Sequence, residues 1–510
     1  MRFLSGLLAS LVLIAPHPGL ADQPTRDDLL KFEKRLKAAH ANVGPAIACV
    51  VVSRSDKYPR PERTPETGQL GGFDREAYLK ANPGKNDLAD QLDLSKPESI
   101  PDHGFAGGVV IDSSGLVLTN YSTIDGAAKI FIHLPGGKGS YADIHAADSR
   151  SDLAVVKLLT PPAEMKAVRF GRVRFPEEPG DDRATVAPGN LALLMAYPYA
   201  SGAVMDQPTG SLATIATIRH PSSKIDSSAL FRSIYNYAPM VEYEARSNPG
   251  ASGVPLLNLD GEVIAFTATA AAIPGGDVGL HYALPADDNV QRIIDVLRRG
   301  EEVEYGFLGV VRPSFQHQGR GIPIEGFPTP GSPAAGAQLM PNDVSRRIND
   351  HPVNTFEDLL LYIGSGLAGG KVKLRIERGG APPRDVTVTL AKFKNEMPYI
   401  ATVRPEPVFG LRVDYASVII QSLLFIPFGG GRNVVEIPRG VHVRELIPES
   451  PAAAKFKTLG ENNRWIITHL NDASVASPAE FYKAARGRKS LKLTIIDPTI
   501  AGSRHTITLP

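Results

Sequence analysis

The sequence predicts a mainly β chain, and three observations carry that prediction. Short apolar stretches separated by turn residues run from Phe105 onward, Gly (48) and Pro (43) are abundant, and long helical periods are few. At 510 residues the chain is too long for a single core, and its length suggests about three domains. The charges nearly cancel, 55 basic against 54 acidic, with no basic stripe, so nucleic acid is not an expected partner.

The first element is read as a targeting segment. MRFLSGLLASLVLIAPHPGLADQ carries Arg2, an apolar run from Phe3 to Ala15 and a small-residue exit ending at Ala21. That is the layout of a secretory signal peptide, residues 1–21, cleaved near Ala21. A retained membrane anchor is the alternative, but the run is short for the roughly 20 residues a span requires. The expected mature chain is therefore periplasmic or secreted, with no transmembrane span. Cys49 is the only cysteine, which excludes an intrachain disulfide and a multi-cysteine metal site. It lies in AIACVVV and reads as a packed strand residue.

The remaining elements follow in order. DDLLKFEKRLKAAHANV has helical spacing and is followed by the strand PAIACVVVSR. Residues 54–102 turn polar and proline-rich, an insertion or loop with one short helix, FDREAYLKA. Strands AGGVVID, GLVLTN, KIFIHL, LAVVKLL, NLALLMAY, GEVIAFTAT and LHYALP then follow without intervening helices, the pattern of an antiparallel barrel or sandwich. QRIIDVLRR (291–299) is a short amphipathic helix that closes the region.

The C-terminal part repeats. PGSPAAGAQL (330–339) returns as PESPAAAKF (448–456), and RRINDHPVNTFEDL (346–359) as ITHLNDASVASPAEF (467–481). Asn349-Asp350 matches Asn471-Asp472 at an offset of 122, and each copy ends in a strand, so two copies of one module are expected. The second copy holds the additional apolar stretch SVIIQSLLFIPF (417–428), too short for a span and read as core or a docking surface.

NPGASGVPLLNLDGEVIAF (248–266) is the most specific chemical signal. A serine between glycines on a tight turn suits a nucleophile whose neighbouring N–H groups converge on an oxyanion, although an ordinary Gly/Ser turn has the same local pattern. Together with GGVVIDSSGLVLTN, DGAAKIFIHL, SRSDLAVVKL and GLHYALP in that order, it resembles the HtrA/Deg family of exported trypsin-like serine proteases with C-terminal PDZ modules. The resemblance covers nearly everything after the signal except 54–102 and 414–439.

It implies a two-barrel trypsin-like (chymotrypsin-fold) domain over 28–300 and two PDZ-like α+β domains, over 303–395 and 403–510. It places Ser252 at the nucleophile, the N–H groups of Gly250 and Ser252 at the oxyanion, and Asp152 at the acid that orients the base. The base should be the histidine of a T-N-x-H-V-V-x-G-A-type pattern. Thr119 to Ala127 aligns with that pattern without a gap, and Ser122 stands in the histidine column. Ala251, Val254 and Tyr243-Glu244 are further departures, with Val254 adding a branched side chain beside the nucleophile turn.

A hydroxyl cannot accept the serine proton at neutral pH as imidazole does. In a related type of triad, removal of the base costs on the order of 10⁶ in turnover. Ser122 can still donate a hydrogen bond to Asp152. His103 is the best-placed spare histidine; His133, His145, His220 and His281 read as packing or surface residues.

EYGFLGVV (304–311) and PVFGLRV (407–413) resemble PDZ carboxylate-binding loops, which assigns peptide binding to Gly306, Phe307, Leu308, Gly309, Phe409, Gly410 and Leu411. The implied partners are unfolded polypeptides or protein C-termini, and the implied assembly a homotrimer or multiples of one. No cofactor and no metal are expected. Two functions stand at this stage: a proteolytically impaired binding, scaffold or chaperone-like protein of protein quality control, and an active endopeptidase with a replacement base.

Overall fold

The structure is a computed structural model describing residues 25–54, 104–178, 180–197, 207–219, 232–245, 251–268, 281–310, 321–424, 436–460, 464–500 and 502–510. The expected signal peptide, nearly all of the 54–102 insertion with its short helix, and Gly250 lie outside these residues.

The chain opens with α1 (Arg26–Val43), whose Thr25 and Asp28 cap each other's backbone in a capping box. Six strands then form the first barrel: β1 (Ile47–Ser53), β2 (Phe105–Asp112), β3 (Leu116–Asn120), β4 (Lys129–Leu134), β5 (Lys138–Asp148) and β6 (Leu153–Leu158). Their sheet runs β5-β4-β1-β2-β3-β6 and closes through β5–β6, so these strands have no free edge within the barrel. β1 is buried at every position, Cys49 included, as expected of an apolar strand flanked on both sides. A single turn, α2 (Tyr121–Ile124), follows β3 directly.

The second barrel follows β7 (Arg169–Phe170) and is built from β8 (Leu191–Ala196), β9 (Thr209–Arg219), β10 (Met240–Glu244), β11 (Pro255–Leu257), β12 (Glu262–Thr267) and β13 (His281–Pro285). Its order is β11-β8-β9-β10-β13-β12, closed through β11–β12, with β7 added parallel to β12. Helix α3 (Asp288–Arg298), one turn longer at its start than the sequence pattern indicates, is N-capped by Asp287 and presents Val290, Ile293, Ile294 and Leu297 to the core between the barrels.

Behind it lie two α+β modules. The first comprises β14 (Gly306–Phe307), β15 (Ile322–Pro323), α4 (Pro333–Gly336), β16 (Asp343–Ile348), β17 (His351–Pro352), α5 (Phe356–Gly364), β18 (Lys371–Arg378), β19 (Arg384–Thr389) and β20 (Ala391–Lys392). A strand the sequence does not announce, β21 (Tyr399–Ala401), leaves the module and pairs antiparallel with β5 of the first barrel. The second module comprises β22 (Leu411–Tyr415), α6 (Ala416–Leu424), β23 (Val441–Leu446), α7 (Pro451–Lys457), β24 (Ile466–Leu470), β25 (Ala473–Ser474), α8 (Pro478–Ala485), β26 (Leu491–Ile496) and β27 (His505–Leu509), in the order β22-β23-β24-β26-β27 with β25 on β24. The apolar stretch beginning at 417 is α6, with Ile420 fully buried; residues 425–428 of it lie outside the described residues.

The repeat seen in the sequence is repeated in three dimensions. Asn349 and Asn471 both adopt left-handed backbone (φ +51° and +47°), and each accepts from the N–H two dozen residues or fewer downstream, Lys373 and Lys492, at 2.9 Å. Asn tolerates that conformation better than most residues, which explains why it recurs there.

The barrels and the first module share one core that includes Val303, Tyr305 and Leu361. Arg150 is buried at their junction, stacked 4.1 Å from the Tyr305 ring centroid and bonded to the Tyr237 hydroxyl at 3.2 Å. Asp148 beside it accepts from the Tyr305 hydroxyl at 2.6 Å. At the second junction Lys392 is buried among Glu302, Glu304 and Asp414, at 2.8 to 2.9 Å. Buried charges of this kind persist only when paired, and these pairs join segments remote in sequence.

Candidate active site

The site lies where the end of β3, the turn between β5 and β6, and the turn before β11 meet. Asp152 stands on the second of these with φ +54°, a conformation that costs a non-glycine residue about 1 kcal/mol. Its backbone is held there: its carbonyl accepts from Tyr121 N at 2.9 Å and from Asn120 Nδ2 at 3.2 Å.

The Asp152 carboxylate is buried and fully engaged. Oδ1 accepts from the Ser122 backbone N–H at 2.8 Å; Oδ2 accepts from the Tyr235 hydroxyl at 2.9 Å and from Ser122 Oγ at 3.3 Å. Burial pushes its pKa up to about 6, against the pull of these three donors. The Ser122 hydroxyl bond anticipated from the sequence is present, but it is the longest of the three. Ser122 itself is exposed.

The opposite wall is the turn Ala251 to Val254. The Ser252 carbonyl accepts from Gly107 N at 2.8 Å, tying the turn to β2. Gly253 has φ +74°, and a Cβ there would lie 2.7 Å from the Gly107 carbonyl oxygen, so only glycine fits. Thr267 braces the turn: its Oγ1 accepts from Val254 N at 3.0 Å and donates to the Ala251 carbonyl at 2.5 Å. Val254 is completely buried and fills the space above Gly107, where a Cβ would come within 1.9 Å of Val254 Cγ1.

Asn120 joins the two walls. Its Nδ2 holds Asp152, while its Oδ1, buried and without a hydrogen-bond partner among the described residues, faces Gly253, 3.0 Å from where a Cβ would sit. Asn120 thus touches both Asp152 and the turn that carries Ser252. Gly250, the other assigned oxyanion donor, is outside the described residues.

Among the described histidines none bonds to Asp152. His145 bonds the Arg298 carbonyl at 3.1 Å, His133 is buried with its ring 4.6 Å from that of Phe131, and His281 lies beside Tyr243 at 5.5 Å. His103 and His220 lie outside the described residues. Tyr235, Asn120 and Gly107 were not singled out in the sequence; RSIYNYAP contains no pattern that points Tyr235 at a carboxylate 83 residues earlier.

The assigned peptide-binding residues fall into two corresponding loops. Gly306 and Phe307 form β14 against β20, and glycine at 306 lets the Ile363 carbonyl of α5 come within 2.2 Å of where a Cβ would be. Leu308 is buried and its carbonyl accepts from Ala334 N at 2.9 Å. In the second module the Phe409 carbonyl accepts from Ala452 N at 3.1 Å, and Leu411 begins β22. Gly309 and Gly410 both have φ +88° and pack against the helix-capping serines Ser332 and Ser450. Among the described residues no cluster of His, Cys, Asp and Glu could hold a metal, and no helix is long and apolar enough to cross a membrane.

Two closed six-stranded barrels, with Asp152 on the first and the Ser252 turn on the second, define a trypsin-like peptidase fold, and the modules behind it are PDZ-like. Comparison with known families agrees: the trypsin-like peptidase domain matches residues 106–266 and the PDZ domain matches residues 306–390. The chain is 26% identical over 488 residues to a probable periplasmic serine endoprotease DegP-like of Halomonas elongata, covering 93% of this chain and 90% of that protein. It is 29% identical over 414 residues to the periplasmic pH-dependent serine endoprotease DegQ of Escherichia coli, covering 78% and 79%. The chain thus carries a trypsin-like peptidase domain followed by a PDZ domain, and over most of its length it is similar to HtrA/Deg-type proteins that are named periplasmic serine endoproteases.

Proposed function

We propose that this protein is a proteolytically impaired member of the HtrA/Deg type, a chaperone-like binding and scaffold protein of protein quality control. The supporting observation is the Asp152 carboxylate: where an imidazole should be oriented, the ligands are the Ser122 amide, the Ser122 hydroxyl and the Tyr235 hydroxyl. With no histidine bonded to Asp152 among the described residues, Ser252 lacks activation in this reading, and what remains is the roughly 10³–10⁴ over water that binding and an oxyanion site provide. In this reading Ser252 keeps the nucleophile position and Gly250 with Ser252 the oxyanion position. Residues 1–21 are removed on export. The peptidase-like domain spans 28–300, and domains 303–395 and 403–510 receive unfolded segments or C-termini. Subunits assemble as trimers or multiples of them.

The second reading, an active endopeptidase on unfolded exported proteins, draws on the DegP-like relatives and on the well-braced Ser252 turn. An unfolded substrate such as casein separates the two. The expected result is no cleavage above background by the wild type or Ser252→Ala, with cleavage gained in Ser122→His. Cleavage by the wild type that vanishes in Ser252→Ala would overturn the impaired reading.

A further inference from the structure

We propose that the second PDZ-like module is latched shut against strand addition, with Tyr482 as the latch. The inference rests on the peptide-binding reading of these modules. A peptide docks on such a module by pairing with the open edge of a strand while backbone N–H groups hold its terminal carboxylate. In the second module that strand is β22, the edge strand of its sheet.

Along a strand, N–H groups of alternate residues point to the same side. On β22 the alternate positions are Leu411, Val413 and Tyr415, and every one of these N–H groups already has an acceptor from this chain. Leu411 N donates to the Val408 carbonyl at 2.9 Å, Val413 N to the Tyr482 hydroxyl at 3.2 Å, and Tyr415 N to Asp414 Oδ1 at 2.8 Å. Two of these caps are local, within three residues of the strand position they serve. Tyr482 is different: it reaches from α8, the helix facing β22, and its ring therefore crosses the space an incoming strand would enter.

The first module lacks this arrangement. The offset of 122 that aligns Asn349 with Asn471 also aligns the helix caps Thr355 and Ser477 and the core residues Leu359 and Phe481. It sets Leu360 where the second module has Tyr482. Leucine has no oxygen to offer a strand N–H. The first module's counterparts of Val413 and Tyr415 fall at positions 312 and 314, outside the described residues. The two copies are therefore unequal at this helix position: the second sets a hydroxyl against a strand N–H, and the first has only an apolar side chain to set there. Asp414 adds to the closure, because its other oxygen is held by Lys392 at 2.8 Å in the junction between the modules.

Calorimetric titration of the full mature chain tests this, with a heptapeptide carrying an apolar C-terminal residue and a free carboxylate, and its C-terminal amide as control. The wild type is expected to bind one peptide per chain, and Tyr482→Leu to gain a second, weaker site. In Tyr482→Phe, which keeps the ring, the Val413 amide is expected to exchange with solvent roughly tenfold faster. Two peptides bound by the wild type, or unchanged stoichiometry in Tyr482→Leu, would overturn the latch and leave peptide binding standing. Val413 exchange unchanged in Tyr482→Phe would also overturn it. No binding by either protein would overturn the peptide-binding reading, and the latch with it.

Discussion

On the first-barrel side of the cleft, the Asp152 carboxylate is held by Ser122 and Tyr235; on the second-barrel side, the Ser252 turn is held by Gly107 and Thr267. The first set of bonds makes no use of an imidazole, whereas the second keeps the tight, glycine-dependent bend a nucleophile turn requires. A tight, glycine-dependent turn can therefore be held in place by packing and backbone bonds alone. Val254 ties the turn to β2 through the space above Gly107, so the turn has a structural load independent of chemistry. At the acid corner the buried carboxylate persists because three donors satisfy it.

That contrast can be broken most strongly at Gly107. Gly107→Ala forces a methyl into Val254 and is expected to destabilise the protein by about 3 kcal/mol by denaturant titration, as overpacking does. Combining it with Val254→Gly should restore part of that loss, and strict additivity would show that the two do not share the space.

The acid corner is sharpened by pH. Burial raises the Asp152 pKa to about 6 from an unfolded value of about 3.9, so the folded state binds the proton more tightly. Its contribution to stability is fully present below about pH 4 and is lost as pH rises through about 6. Asp152→Asn should therefore remove a decline of about 2–3 kcal/mol between pH 4 and 7 in unfolding free energy. A wild-type and variant difference that is flat across that window would contradict the assignment. Tyr235→Phe should have the smallest effect: about 1.5 kcal/mol lost at pH 7, where the carboxylate needs its donor, and less at pH 4.

Much of this was legible from local pattern. The alternating apolar runs bounded by turns correspond to the barrel strands, α1 and α3 follow their helical spacing, and the offset of 122 reappears as matching Asn conformations. Ser122 was found because Thr119 to Ala127 aligns without a gap. Tyr235 was not, because its partner is 83 residues away and its neighbours carry no periodicity. β21 was missed for a related reason: three residues pairing with β5 across some 250 positions leave no local signature. Nothing in the segments around Arg150 and Lys392 reveals the rings and carboxylates that bury them.

By itself, then, the sequence determined the elements, the class of fold and the absence of a histidine at position 122, because these depend on residue type and on spacing along a few turns or strands. Only the tertiary structure decided which groups hold Asp152, which side chain fills the space over Gly107, and that the Tyr482 hydroxyl reaches Val413 N. Each of those is a contact between segments brought together by barrel closure or module packing, and such contacts depend on geometry that no single stretch of residues contains.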